Sequence, residues 1–78
     1  KYNNNFNISG KIIKKRRLEL NISQEQLANK LNLLGVNIYY NDIYMIENNK
    51  RTVKDFELIA ICKVLNINIE DMKKIIKS

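Results

Sequence analysis

The chain contains no histidine, no proline and no tryptophan, and it has one cysteine and two glycines in 78 residues. Each shortage excludes something. Without His and with a single Cys, a zinc site of Cys and His is ruled out, and Cys62 has no partner for an internal disulfide. The common general base, and the usual activator of a Ser or Cys nucleophile, are missing with the histidines, so an enzyme is not expected. No glycine-rich phosphate loop or metal cluster is present, and no cofactor is implied. No stretch approaches the roughly 20 apolar residues of a bilayer crossing, and the amino end lacks the basic-then-apolar pattern of a signal peptide. No membrane association is expected, and the expected location is cytoplasmic. Strand alternation and internal repeats are also absent.

What is present is a small, basic, helix-patterned domain. Hydrophobic residues make up 45% of the chain and charged residues 28%, ordinary values for a globular protein. Lys and Arg number 14 against 8 Asp and Glu, a net charge of +6. So large an excess on so short a chain suits an acidic partner such as nucleic acid, and charge alone fits a merely solubilising role equally well. Asn, Ile and Lys dominate the composition, the bias an A- and T-rich genome imposes, and no function is assigned to it.

Residues 1–8 read as a flexible polar tail, with Tyr2 and Phe6 able to fold back on the domain of residues 9–78. Ser9 or Gly10 begins a helix running to about Asn21, with Ser9, Ile13, Arg17 and Leu20 on one face. Lys11, Lys14, Lys15 and Arg16 fill most of its remaining surface. Ser23 opens a second helix with Gln26 three residues later, the capping-box spacing, and Leu27, Ala28 and Leu31 form its buried face, with Leu34 a further candidate. Gly35 ends it. Thr52 and Asp55 resemble another cap, ahead of a helix with Leu58, Ile61, Cys62 and Leu65 on one side. Phe56 and Ile59 either complete the core or form an exposed patch that joins subunits. Asn68 caps a last helix of Ile69, Met72 and Ile76, with Lys73, Lys74 and Lys77 at its carboxyl end.

The stretch Ile38 to Arg51 is the one the rest of the chain presents. Ile43 and Ile46 lie three apart on one helical face, Ile38 or Tyr39 makes the entry contact, and Asn41 or Tyr39 opens the helix. Asn49 can close it, because Asn tolerates the left-handed conformation that ends many helices. Tyr40, Asn41, Tyr44 and Met45 stay on the outward side, available for a partner. Glu47 is anomalous: a carboxylate at the negative end of the helix dipole calls for a fixed cation, and the candidates are on the first basic helix.

Ser23-Gln24-Glu25-Gln26-Leu27-Ala28, then Ile43-Tyr44-Met45-Ile46-Glu47-Asn48-Asn49-Lys50-Arg51, then Leu58 to Ile67 with Ile61-Cys62 and Val64-Leu65, resemble the helix-turn-helix family of phage repressors, Cro proteins and xenobiotic-response-element (XRE) regulators. The resemblance covers roughly Gly10 to Met72. It implies an all-α, five-helix, lambda-repressor-like domain that binds double-stranded DNA as a transcriptional regulator, with the third helix in the major groove. On that basis Tyr40, Asn41, Tyr44 and Met45 would read bases, Gln24, Lys50 and Arg51 would touch the DNA backbone, and Arg17 would pair with Glu47. A homodimer on a two-fold operator is expected, since one short reading helix covers few base pairs. The alternative is a helical adaptor of the same fold that binds a protein through Tyr39, Tyr40, Tyr44 and Met45.

Three features depart from the family pattern. About five extra residues around Asn32 to Asn37 lengthen the turn between the two motif helices. Tyr-Tyr-Asn-Asp replaces the usual Ser or Gln at the head of the third helix, where Asn41 suits adenine and Asp42 could accept from a cytosine amino group. Asn49 stands where Gly is common.

Overall fold

Four helices are present among the described residues of the computed structural model, which are 5–68 and 70 for the backbone, with side chains from residue 10 onward: α1 (Asn5–Glu19), α2 (Gln24–Leu33), α3 (Tyr40–Glu47) and α4 (Asp55–Leu65). No strand occurs among these residues. The expected fifth helix over Ile69, Met72 and Ile76 and residues 1–4 of the expected tail lie outside the described residues. Asn68 Oδ1 accepts the Glu70 N–H at 2.9 Å.

Each helix after the first opens in the same way. An apolar residue precedes the N-cap, an acceptor side chain stands three residues after the cap, and an apolar residue follows it. The pairs are Ile22 and Leu27 around Ser23, Ile38 and Ile43 around Tyr39, and Val53 and Leu58 around Lys54. This spacing is the hydrophobic staple, and it sets the angle at which the chain enters the helix. At α2 the capping box is complete: Ser23 Oγ accepts the Gln26 N–H at 3.0 Å and Gln26 Oε1 accepts the Ser23 N–H at 2.8 Å. At α3 and α4 the cap side chains bond nothing, and the carboxylates of Asp42 and Glu57 accept the cap N–H groups at 2.9 and 3.0 Å. The cap of α4 is therefore Lys54, two residues beyond the Thr52 expected from sequence.

The helices also end alike. Asn21, Gly35, Asn49 and Asn66 all have positive φ. In each case the next N–H donates to the carbonyl five residues before it: Ile22 to Arg17, Val36 to Leu31, Lys50 to Met45 and Ile67 to Cys62. These bonds satisfy carbonyls that a helix end would otherwise leave open. The turn at Asn21 falls about where the helix was expected to stop, and it corrects one sequence expectation, the place of Leu20. Helix α1 ends at Glu19, and Leu20 leaves the apolar stripe and is 37% exposed. The other end of α1 starts at Asn5, ahead of the expected Ser9 or Gly10 and within the expected tail.

α1 and α2 each pack against both α3 and α4, and the core lies where the four helices meet. Ile13, Leu27, Leu31, Ile38, Ile43, Ile61 and Leu65 are fully buried there. Leu34 remains outside as the C-cap of α2, and Phe56 and Ile59 are exposed, so they do not complete the core. At the crossing of α1 and α3 the backbones nearly touch. A Cβ on Gly10 would fall 2.5 Å from the Ile46 carbonyl oxygen, so only glycine admits this approach without displacement.

The long turn between α2 and α3 is pinned in place. Val36 and Ile38 are buried within it. From α2, Asn32 Nδ2 donates to both Ala28 O and Ile38 O at 2.7 Å. One amide thus ties the turn to the helix before it and holds the residue that staples the helix after it.

Candidate nucleic-acid interface

α3 presents two unlike faces. Ile43, Ile46 and Glu47 are buried, while Tyr40 and Tyr44 are 61% and 44% exposed and Asn41 is also exposed. Met45 lies at the margin, half-buried. With Tyr39 as N-cap, Asn41 is the second residue inside the helix and does not cap it. Its amide makes no hydrogen bond among the described residues. Asp42 is differently placed: Oδ2 accepts the Tyr39 N–H, and Oδ1 lies 3.5 Å from Arg51 Nε. Each oxygen is engaged within the domain, so a base amino group would have to share Asp42 with the Tyr39 N–H and Arg51.

The inner face of α3 is locked to α1 by charge as well as by packing. Arg17 Nε donates to Glu47 Oε2 at 2.7 Å and Nη2 donates to Oε1 at 3.0 Å, a parallel two-bond pair. Arg17 Nη1 donates to Ile22 O at 2.8 Å, holding the guanidinium at the α1–α2 corner. Gln24 Nε2 also donates to Glu47 Oε1, at 3.1 Å. The carboxylate at the negative end of α3 is therefore met by three donors. Gln24, expected at the DNA backbone, has its amide nitrogen turned inward to Glu47.

Lys50 and Arg51, adjacent in sequence, have different surroundings. Lys50 is exposed just past the turn at Asn49. Arg51 folds back: Nη1 donates to Thr52 O at 2.7 Å and to Glu57 Oε1 at 3.2 Å, and Nη2 donates to Glu57 Oε2 at 2.9 Å. Burial pushes the Glu57 carboxyl up, but the bonds from Arg51 and the Lys54 N–H, with the charge of Arg51, outweigh it and hold the group below its ordinary range. The Glu57 hydrogen bond, opposed by burial and helped by the charges of Glu57 and Asp42, holds the guanidinium above its ordinary value. Burial pushes the Cys62 thiol up, leaving it an unreactive core group.

Glu57 and Asn32 are the two polar residues that sequence reasoning passed over. Glu57 had only a faint signal, its place three residues after the N-cap Lys54, a residue type that does not mark a cap. Asn32 had none, since its role depends on where the turn returns.

The outward surface carries Lys11, Lys14 and Lys15 on α1, Lys30 on α2 and Lys50 after α3, all exposed. Arg16, expected with the surface cations, is half-buried and donates from Nε to Leu65 O at 2.9 Å. A shallow groove of about 250 Å³ runs between α2 and the head of α3, bordered by Glu25, Asn29, Asn32, Tyr39 and Tyr40. Among the described residues, no group of side chains could hold a metal ion, and no helix is long and apolar enough to cross a membrane.

No curated protein and no solved structure matches the chain. A family model described as helix-turn-helix matches residues 13–72, well over half of its length, and spans all of α2, α3 and α4. With this match on an all-helical domain whose third helix turns a polar, aromatic face outward, the chain belongs to the helix-turn-helix family of DNA-binding regulators, of the Cro/C1 and XRE-like type.

Proposed function

We propose that the protein is a sequence-specific double-stranded DNA-binding regulator that seats α3 in the major groove. The observation that carries the reading is the two-sidedness of α3: an immobilised inner face with Tyr40, Asn41 and Tyr44 standing outward. The major groove, about 12 Å wide, admits a helix of this kind and displays the edges that distinguish all four base pairs. Asn41, near the amino end and not used as a cap, offers one donor and one acceptor that match adenine N7 and N6. Tyr40 and Tyr44 supply rings against thymine methyl groups and hydroxyls for polar edges, and Met45 completes the apolar margin. Lys50 and the start of α2 at Gln24 meet phosphates, because unpaired N–H groups at a helix start favour an anion.

A homodimer on a two-fold site belongs to this reading, with Phe56 and Ile59, each 58% exposed on α4, as its contact. The exposed rings of Tyr39 and Tyr40 favour one second reading, a protein-binding adaptor, for which duplex DNA would bind weakly and without salt dependence.

Selection of bound duplexes from a random pool, followed by Asn41→Ser, is the test. Ser is too short for the two-bond contact. The variant should lose about 1–3 kcal/mol of discrimination at one base pair, with little change in stability. Recovery of no preferred duplex would overturn the reading, and an unchanged ranking of single-base variants would remove Asn41 from it.

A further inference from the structure

We propose that Arg51 is a positioning residue, a strut that sets the angle of α3 against α4, and that it does not neutralise a phosphate. The inference rests on α3 being the DNA-reading helix. Helices α3 and α4 each pack against α1 and α2 but scarcely touch one another directly. What joins them is one continuous polar chain. The Tyr39 N–H donates to Asp42 Oδ2, Asp42 Oδ1 lies 3.5 Å from Arg51 Nε, the Arg51 Nη groups donate to both oxygens of Glu57, and Glu57 Oε1 accepts the Lys54 N–H. The first turns of α3 and α4 therefore share a single guanidinium, and each reaches it through the carboxylate that accepts the N–H of its own N-cap residue.

The chemistry of release opposes a phosphate role. The Glu57 side chain is 6% exposed and that of Arg51 is 24%. Swinging the guanidinium out to DNA would leave a buried carboxylate unpaired, a heavier penalty than one solvent-exposed ion pair returns. It would also leave Asp42 unopposed beside the incoming phosphates. Lys50, exposed one residue earlier, can meet the backbone without either loss.

Arg51→Lys separates the two roles, because lysine keeps the charge but cannot bridge two carboxylates as a planar fork does. For the strut, affinity for the duplex recovered by selection should fall about ten-fold, while affinity for a scrambled duplex and the dependence of log K on log salt stay the same. If Lys binds both duplexes as well as Arg does, and Arg51→Gln lowers the salt slope by about 0.9, Arg51 is a phosphate contact and the proposal is overturned. Asp42→Asn serves as a second variant that leaves the Arg51–Glu57 pair intact. It should raise affinity for the scrambled duplex and lower the ratio of selected to scrambled binding, and an unchanged ratio would count against the strut. If the wild-type protein prefers no duplex, the DNA-reading assignment fails by itself. Amide hydrogen exchange in Arg51→Lys then decides the strut: faster exchange at both Tyr39 and Lys54 supports it, and unchanged exchange overturns it.

Discussion

Replacing Arg17 by Met strands a carboxylate in the interior. The Glu47 side chain is 0% exposed and that of Arg17 8%, so neither group can recover its interactions from water without opening the domain. In Arg17→Met the two guanidinium bonds to Glu47 and the bond to Ile22 O disappear, and only Gln24 Nε2 remains on the carboxylate. Removing one partner of a buried pair costs about 3–5 kcal/mol. The upper part of that range is expected here, because the stranded charge also sits at the negative end of α3. Glu47→Gln should fall in the lower part, since a neutral amide of the same shape still accepts from Arg17. At about 0.05–0.15 kcal/mol per residue, the whole domain is stable by roughly 4–12 kcal/mol, so either change takes a large share of the total. The double variant leaves no unpaired charge and should be more stable than the sum of the single losses implies, by about 2 kcal/mol. Urea denaturation followed by circular dichroism measures all four proteins. Single losses that add within about 0.5 kcal/mol would refute the coupling, and an Arg17→Met loss under about 1 kcal/mol would refute the burial argument, since that is the value of an exposed pair.

Gly10→Ala should destabilise the domain by about 1–2 kcal/mol, read as a lowered melting temperature: overpacking against the Ile46 carbonyl outweighs the gain of about 1 kcal/mol in helix propensity. Glu57 should make stability acid-sensitive. Its folded carboxyl titrates below the ordinary value of about 4.3, so its contribution is fully present above that pH and is lost as pH falls through the folded value. Stability measured at neutral pH and near pH 3 should therefore show Glu57→Gln well below wild type in the first case and closer to it in the second; a constant gap would contradict the assignment. Lys50→Ala should flatten the log K against log salt plot by about 0.9 while keeping the preferred duplex, and an unchanged slope would place Lys50 off the DNA.

Legibility in the sequence varied with how local each cause was. Ser23 and Gln26 announce α2 because both halves of its cap are residue types with that habit. The faces of α2 and α4 follow from spacing, since Leu27 with Leu31 and Ile61 with Leu65 recur at four residues and are buried. An Arg inside an apolar stripe and a Glu at a negative helix end are local anomalies, and the order of residues alone displays both. Arg51 and Glu57 carry no such anomaly. A Glu in a first turn is an ordinary surface residue until the loop cation folds back onto it, and that return is set by the packing of α3 and α4 on α1 and α2. The head of α3 shows the same limit. Tyr39 and Asn41 are indistinguishable as openers by spacing alone, and it is the burial of Ile38, stapled to Ile43, that makes Tyr39 the cap and frees Asn41.

The asparagines that close three of the helices bear on how the protein ages. Deamidation begins when the backbone nitrogen of the following residue, losing its proton, attacks the Asn side-chain carbonyl and expels ammonia to form a succinimide ring, which water then opens. After Asn21, Asn49 and Asn66 that nitrogen is held by the N–H donated to Arg17, Met45 and Cys62 at 3.1, 2.7 and 2.8 Å. The bond that terminates each helix thus withholds the nucleophile that would damage it. Chemical ageing at these positions should run in the unfolded chain and stall in the folded one, so the mass shift of deamidation, compared between protein stored native and protein stored in urea, records how long each molecule has spent unfolded.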